Sequence, residues 1–239
     1  MAEIPVLENI LKANDALADQ VRRRLTQAGV VAFNFIGAPG AGKTALFEMT
    51  IPLLKAPVGP RGEKAMPARR RRDGLRIAVI EADCATSRDA ERVKALGVEV
   101  VQINTGKGCH VPAHLILQAL GRVALDRTDL LLIENIGNLV CPSELDIGES
   151  AKIAVISAAE GDDKPQKYPM LFRQCAAVVL NKTDLIPHTN FSRERFEADL
   201  RAINSQVPLF AVSCRTGEGI EAWAQWVVAR LRAVKANPL

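Results

Sequence analysis

Residues 37–44 are the pattern that most constrains the fold of this chain. They read Gly-Ala-Pro-Gly-Ala-Gly-Lys-Thr, a complete G-x-x-x-x-G-K-T phosphate-binding loop. A short apolar run at residues 30–36, typical of a buried strand, precedes the loop, and a helical pattern at residues 44–54 follows it. Glycines let the backbone wrap a phosphate chain with N–H groups, and the next helix points its positive end at the anion. This order of strand, loop and helix predicts a nucleotide-binding protein.

The rest of the chain alternates between strand and helix patterns. Short apolar runs predict six more strands at residues 77–80, 98–103, 130–133, 153–156, 176–180 and 209–212. Apolar residues at helical spacing predict further helices at about residues 7–25, 89–96, 113–125, 193–203 and 220–234. Apolar strands that alternate with helices predict a three-layer α/β fold, a mostly parallel sheet with helices on both faces. No convincing linker divides the chain, so we predict a single domain over residues 1–239.

Composition argues against several protein classes. Hydrophobic residues make up 48% and charged residues 24%, as in ordinary globular proteins. No apolar run has the roughly 18 residues of a membrane helix, and the N-terminus shows no secretory signal, so we expect a cytoplasmic protein. The net charge of +4 comes from residues 56–76, which carry seven basic and two acidic residues. We predict that this segment is a mobile basic insertion, and that nucleic acid is an unlikely partner.

The tetrapeptide Asn181-Lys182-Thr183-Asp184 predicts that the base is guanine. The Asp184 carboxylate can accept hydrogen bonds from the ring N–H and the exocyclic amine of guanine, and adenine has no such pair of donors. The Lys182 stem would cover the base, and Asn181 would brace the loop. Ser213 and Cys214 follow the next strand, where their backbone would contact the guanine oxygen.

Phosphate and magnesium ligands complete the predicted nucleotide site. The residues assigned to the phosphates are Gly37, Gly40, Gly42, Lys43, Thr44 and Ala45. Thr44, Asp83 and Glu134 are the predicted Mg²⁺ ligands, and Lys43, Asp83 and Glu134 the predicted catalytic groups, because phosphoryl transfer needs a carboxylate near the γ-phosphate. No glutamine follows Gly137, so we expect slow hydrolysis of GTP to GDP.

A second cluster predicts a transition-metal site. Cys109 and His110 are adjacent, Cys141 follows Gly137 by four residues, and His114 is a candidate fourth or outer ligand. Two thiolates and an imidazole suit Zn²⁺ and Ni²⁺. Buried cysteines are more often core residues, and this remains the expectation for Cys175. Because Gly137 lies where a switch loop senses the γ-phosphate, a metal ligand at Cys141 would move with the nucleotide state.

Four motifs together resemble the HypB family of GTPases. They are residues 37–44, residues 104–110 with Cys109 and His110, residues 134–142 with Cys141, and residues 181–184. The resemblance implies a SIMIBI-class P-loop GTPase that assists nickel insertion into [NiFe]-hydrogenase. It also implies a homodimer linked by GTP and metal, with Ni²⁺ or Zn²⁺ on Cys109, His110 and Cys141. The implied partners are a HypA-like nickel chaperone and the hydrogenase large subunit.

Two other functions stay open at this point. In one, the cysteines are structural and the protein is a regulatory GTPase for another metallocofactor pathway, such as that of urease. In the other, the arginine run at residues 69–72 serves a nucleotide kinase or an RNA-associated factor.

Overall fold

The structure is a computed structural model that describes residues 6–56, 74–83, 88–106 and 108–237, with only the backbone at residues 6–10. The basic segment predicted at residues 56–76 falls almost wholly outside these ranges. Within them, no helix combines the length and apolar character that a bilayer crossing needs.

Seven strands and nine α-helices make up the described part of the chain. The strands are β1 (Val31–Gly37), β2 (Ile77–Asp83), β3 (Glu99–Asn104), β4 (Leu130–Gly137), β5 (Ala151–Ser157), β6 (Ala177–Asn181) and β7 (Leu209–Ala211). The helices are α1 (Val6–Ala28), α2 (Lys43–Lys55), α3 (Arg88–Lys94), α4 (Ala113–Leu120), α5 (Cys141–Glu144), α6 (Lys164–Lys167), α7 (Pro169–Gln174), α8 (Arg193–Ile203) and α9 (Ile220–Ala236).

All seven strands lie in one parallel sheet with the order β3-β2-β4-β1-β5-β6-β7. β1 is the central strand, between β4 and β5. Because the strands are parallel, all their carboxyl ends meet at one edge, where ligands of such sheets bind. The phosphate-binding loop leaves β1 at the middle of this edge.

Apolar side chains on both faces of the sheet explain the three layers. One face packs against α2 and α9, whose buried residues include Phe47 and Trp223. The other face packs against α1 and α4 on one side of β1, and against α7 and α8 on the other side. The strands are therefore buried on both faces, which confirms the predicted fold class.

Two element boundaries differ by four or more residues from those predicted. The helix predicted to end at residue 125 ends at Leu120, because Gly121 favours termination and Val123 then turns into the core. A 3₁₀ turn, Leu125–Arg127, follows. β4 does not end at residue 133 but runs to Gly137, so Glu134 lies inside a strand and is buried. Its polar character hid this part of the strand from the sequence pattern.

The docking of α1 requires a glycine at residue 148. Gly148 has φ +84°, and a Cβ atom there would lie 2.6 Å from both the carbonyl oxygen of Ala18 and Cβ of Val21 in α1. Gly29 has a similar φ of +67°, but the described residues place no atom within 4 Å of a Cβ there. Both glycines therefore need a left-handed backbone, but only Gly148 is also closely approached by α1.

We expect Gly148→Ala to lower the free energy of unfolding by about 2–4 kcal/mol, because it adds overpacking against α1 to the cost of a left-handed alanine. Gly29→Ala should cost only about 1 kcal/mol. Urea denaturation of both variants measures the difference. Equal losses would contradict the inferred packing of α1 on residue 148.

Candidate functional site

The phosphate-binding loop holds its lysine in a buried position. Lys43 is 7% exposed, and its Nζ donates to the carbonyl oxygens of Gly37 (3.1 Å) and Ala38 (3.4 Å) in the same loop. Burial lowers the pKa of Lys43, and the neighbouring Glu134 carboxylate opposes this shift. These two hydrogen bonds hold the Lys43 ammonium group at the loop, and phosphate oxygens can take the place of the two carbonyl acceptors.

Thr44 and Glu134 meet beside this loop. The Thr44 hydroxyl donates to Oε1 of Glu134 over 2.9 Å, and the other oxygen of Glu134 is buried without a hydrogen-bond partner in the described structure. A hydroxyl and a carboxylate are hard oxygen donors of the kind that Mg²⁺ prefers. These residues therefore fit the magnesium site that the sequence predicts.

Two more carboxylates continue the same face of the sheet. The apolar residues of β2 that face α2 are Ile77 and Val79, so alternation places Glu81 and Asp83 on that face as well. Burial raises the pKa of Glu81 to about 8, and the Glu134 carboxylate adds to the shift. Burial also raises the pKa of Glu134 to about 7, while Lys43 opposes it. Both acids therefore keep a proton to a higher pH than an ordinary glutamate does.

Asp83 is predictable from the sequence pattern, whereas Glu81 is a functional candidate that the apolar run does not reveal. The predicted strand stopped at residue 80, where the apolar run ends, whereas β2 continues to Asp83. The alternation of residues 77, 79 and 81 was the signal that could have identified Glu81. Asp83 lies at the half-buried end of the strand, and its predicted role stays a prediction.

The guanine motif is tied to the phosphate loop by its first two residues. Nδ2 of Asn181 donates to the carbonyl of Ala41 over 3.0 Å, while its Oδ1 accepts from the backbone of Cys214 over 3.2 Å. Lys182 adopts a left-handed backbone with φ 60°, and its Nζ donates to the carbonyl of Gly40 over 2.7 Å. These bonds agree with the bracing predicted for Asn181, and they place the base-reading loop against the phosphate loop.

Asp184 presents its carboxylate beside the loop that follows β7. Its Oδ1 accepts from the hydroxyl of Ser213 over 2.6 Å. The backbone amides of Ser213 and Cys214 donate within the protein, to the Glu218 carbonyl (3.0 Å) and to Asn181 (3.2 Å). The predicted contact of these two residues with the guanine oxygen stays a prediction.

Cys109, His110 and Cys141 come together on the surface. The Sγ atoms of Cys109 and Cys141 are 3.0 Å apart, and Nδ1 of His110 is 3.4 Å from Sγ of Cys109. All three ligand atoms lie within 4.8 Å of one another, and no other described group of three His, Cys, Asp or Glu residues converges in this way. Ligand atoms about 2.0–2.3 Å from one ion have similar separations. Burial lowers the pKa of His110, which favours the neutral imidazole that binds metal.

The segment 137–149 is here called the strap. It begins beside the phosphate loop at Gly137, contains Cys141 of the candidate metal cluster and ends at Glu149. A Cβ atom at Gly137 would lie 2.7 Å from Cγ of Pro39, so only glycine lets the strap begin against that loop. Nδ2 of Asn138 donates to the carbonyl of Cys109 over 3.0 Å, and its Oδ1 accepts from the amide of Val140 over 2.9 Å. One side chain therefore joins both metal-ligand loops, immediately after the residue that contacts the phosphate loop.

The far end of the strap is fixed by α1. Asn14, 8% exposed, donates to the carbonyl of Asp146 (2.7 Å) and accepts from the amide of Ala113 (3.0 Å). Arg22 binds the Asp146 carboxylate at 2.5 Å. A single helix therefore holds the strap end and the start of α4, which follows the Cys109 loop.

Hydrogen bonds among buried side chains also anchor the end of the strap at Glu149 to strands of the sheet. Glu149 accepts from Asn34 of β1 over 3.2 Å and from the amide of Ile147 over 2.9 Å. Asn135 of β4 donates to the same Asn34 over 3.1 Å. Both ends of the strap are thus tied to neighbouring strands, and the residues around Cys141 lie between these anchors.

The remaining cysteine and histidine predictions have different outcomes. Cys175 is buried in the core, as predicted. His114 lies exposed on α4 and is not among the three converging ligands, so its role as a fourth ligand stays a prediction. Cys84 lies outside the described residues. Sequence analysis did not identify Asn138, because a single asparagine in a loop carries no pattern.

Comparison with known proteins gives one consistent family. Residues 31–211 match the sequence family described as CobW/HypB/UreG, nucleotide-binding domain. The chain is 43% identical to the hydrogenase maturation factor HypB of Rhizobium leguminosarum bv. viciae, over 98% of this chain and 73% of that protein. The crystal structure of HypB from Helicobacter pylori in complex with nickel has a TM-score of 0.80 at 31% identity, over 92% of this chain and 96% of that chain. HypB from Archaeoglobus fulgidus has a TM-score of 0.79 at 35% identity, over 92% of this chain and 100% of that chain.

We expect Asp184→Asn to lower the affinity for GDP by at least about 100-fold, because two charge-assisted hydrogen bonds to the base are lost. Xanthosine diphosphate should gain affinity, since its second carbonyl can accept from the new amide. Ser213→Ala removes only the hydroxyl from which Oδ1 of Asp184 accepts, so it should change GDP affinity less than about threefold. Calorimetric titration measures all three. Unchanged GDP affinity in Asp184→Asn would contradict the assignment.

Proposed function

The chain belongs to the CobW/HypB/UreG family of nucleotide-binding proteins, in its branch of HypB hydrogenase maturation factors, and we propose that it is a GTP-hydrolysing metallochaperone. Its cargo is Ni²⁺, held by Cys109, His110 and Cys141 and delivered to a [NiFe]-hydrogenase. The proposal places the protein in the cytoplasm, where thiols stay reduced.

The observation that carries this proposal is the side chain of Asn138. It bonds to the carbonyl of Cys109 and to the amide next to Cys141, and it directly follows Gly137 at the phosphate loop. A γ-phosphate that displaces Gly137 would therefore displace Asn138, and Asn138 would shift one metal-ligand loop relative to the other. Hydrolysis of GTP would reverse the shift and change the hold on the metal.

Residues of the phosphate loop bind and orient the nucleotide. Lys43 would exchange its two carbonyl acceptors for phosphate oxygens, and Asp184 would exchange the Ser213 hydroxyl for the N–H groups of guanine. Thr44, Asp83 and Glu134 would hold Mg²⁺, which neutralises the developing charge on the phosphates. Asp83, at the end of β2, would orient the attacking water. Hydrolysis would be slow, because asparagine rather than glutamine follows Gly137.

Three protein ligands leave the metal shell incomplete, and this favours a second contributor. A second copy of this chain could bring its own three ligands to the same ion, which gives a homodimer linked by GTP and metal. The exposed position of Cys109 suits such a contact. A HypA-like nickel chaperone would load the site, and the hydrogenase large subunit would receive the ion. Zn²⁺ would compete, because the same ligands suit it.

The cluster geometry disfavours structural cysteines, the premise of the alternative regulatory role in another pathway such as that of urease. A structural thiol is normally buried among apolar side chains, as Cys175 is. Cys109 is instead exposed and Cys141 half-buried, with their sulfur atoms 3.0 Å apart and an imidazole beside them.

Nickel titrations of Asn138→Ala under GDP and under a non-hydrolysable GTP analogue test the proposal. In the parent protein we expect different nickel affinities in the two nucleotide states. Asn138→Ala should bind nickel about three- to tenfold more weakly, because it loses two hydrogen bonds, and its affinity should no longer depend on the nucleotide.

Asn104→Ala is the matched control. Asn104 accepts from the amide of Gly106 over 2.9 Å at the start of the same metal-ligand loop, and no hydrogen bond joins its side chain to a described residue of the strap. Its loss should weaken nickel binding to a similar degree and keep the nucleotide dependence. If the nickel affinities of Asn138→Ala under GDP and under the GTP analogue differ by the same factor as in the parent protein, the coupling is refuted. If Cys141→Ala binds nickel as the parent protein does, the metal site is refuted.

A further inference from the structure

Glu81 is a buried acid that none of the roles assigned above uses. It is 2% exposed, and its Oε2 atom has no hydrogen-bond partner in the described structure. Its Cα pairs with that of Glu134 in the register between β2 and β4. Because paired residues of parallel strands point to the same face, the two carboxylates lie side by side on the face that α2 covers.

The described residues offer these two carboxylates little compensation. Glu134 also has an orphan Oε2, and its other oxygen accepts only a neutral hydroxyl, that of Thr44. Lys43 is the buried cation nearby, and its Nζ is bonded to carbonyl oxygens of its own loop. Adjacent buried acids without a bonded cation cost stability, so packing alone does not account for Glu81.

We infer that Glu81 is a further magnesium-positioning carboxylate of the nucleotide site, which acts together with Glu134 on the ion that Thr44 and the nucleotide phosphates hold. This inference rests on the nucleotide-binding part of the proposed function. A divalent cation matches the charge of two carboxylates and the hardness of their oxygens. Mg²⁺ keeps several of its waters, and a buried carboxylate without a partner is an acceptor for them.

If Glu81 positions magnesium, its substitution should weaken magnesium binding but leave nucleotide binding unchanged when the ion is absent. Glu81 has no assigned contact with the base or with the phosphates, so its charge should matter only when the ion is present. Glu81→Gln keeps the size of the side chain and removes its charge. It also removes like-charge repulsion, so the urea midpoint of the nucleotide-free variant should not fall below that of the parent protein.

The experiment follows release of fluorescent methylanthraniloyl-GDP while MgCl₂ is titrated. In EDTA, Glu81→Gln should release the nucleotide at the parental rate within about threefold. The Mg²⁺ concentration that half-maximally slows release should rise at least about tenfold, the effect of losing one charge-assisted contact. Electron paramagnetic resonance of Mn²⁺ in the GDP complex should show weakened ion binding by the same factor.

Glu91→Gln is the matched control, because Glu91 is an exposed acid on α3, the helix that follows β2. It removes one negative charge from the surface of that helix and should leave the Mg²⁺ dependence within twofold of the parent. A Glu81→Gln protein with parental Mg²⁺ and Mn²⁺ dependence would overturn the role of Glu81. If Mg²⁺ does not slow GDP release from the parent protein, the proposed function fails instead.

Discussion

The pairing of β1 with β4 is the constraint on which the functional surface depends. Their register aligns Gly37 with Gly137, so the phosphate loop and the strap leave neighbouring strands at the same level. The contact between them is so close that a side chain at Gly137 would overlap Pro39. A movement of the phosphate loop would therefore displace Gly137, the first residue of the strap. Cys141, a member of the candidate metal cluster, lies only four residues further along the chain.

One short piece of backbone thus connects the proposed magnesium site with the proposed nickel site. At its beginning, Glu134 contributes buried charge to the nucleotide site, and at Cys141 the chain contributes a thiol to the surface cluster. The strap is tied down at its far end by α1 and by the buried Glu149. Because the far end is anchored, a displacement that enters at Gly137 passes first to Asn138, the second residue of the strap.

The fold was predictable because its signals are local and repeated. Apolar strands, helical spacing and the phosphate-loop pattern are each visible in the sequence, and the seven strands were found with ends that shift by up to four residues. The predictions fell short where burial is not apolar. Glu81 and Glu134 were placed beyond strands that in fact include them, because these strand ends are buried although they carry acidic side chains. The Asn138 bridge depends on two loops meeting in space, which no spacing in the sequence reveals.

The central claim is that the nucleotide state changes the geometry of the metal site through the strap. Its most direct test is a single-turnover experiment on nickel-loaded protein with bound GTP, in which the thiolate-to-nickel charge-transfer absorption and phosphate release are followed together. The account predicts that the absorption changes in step with phosphate release. An absorption spectrum that stays constant through hydrolysis would contradict it.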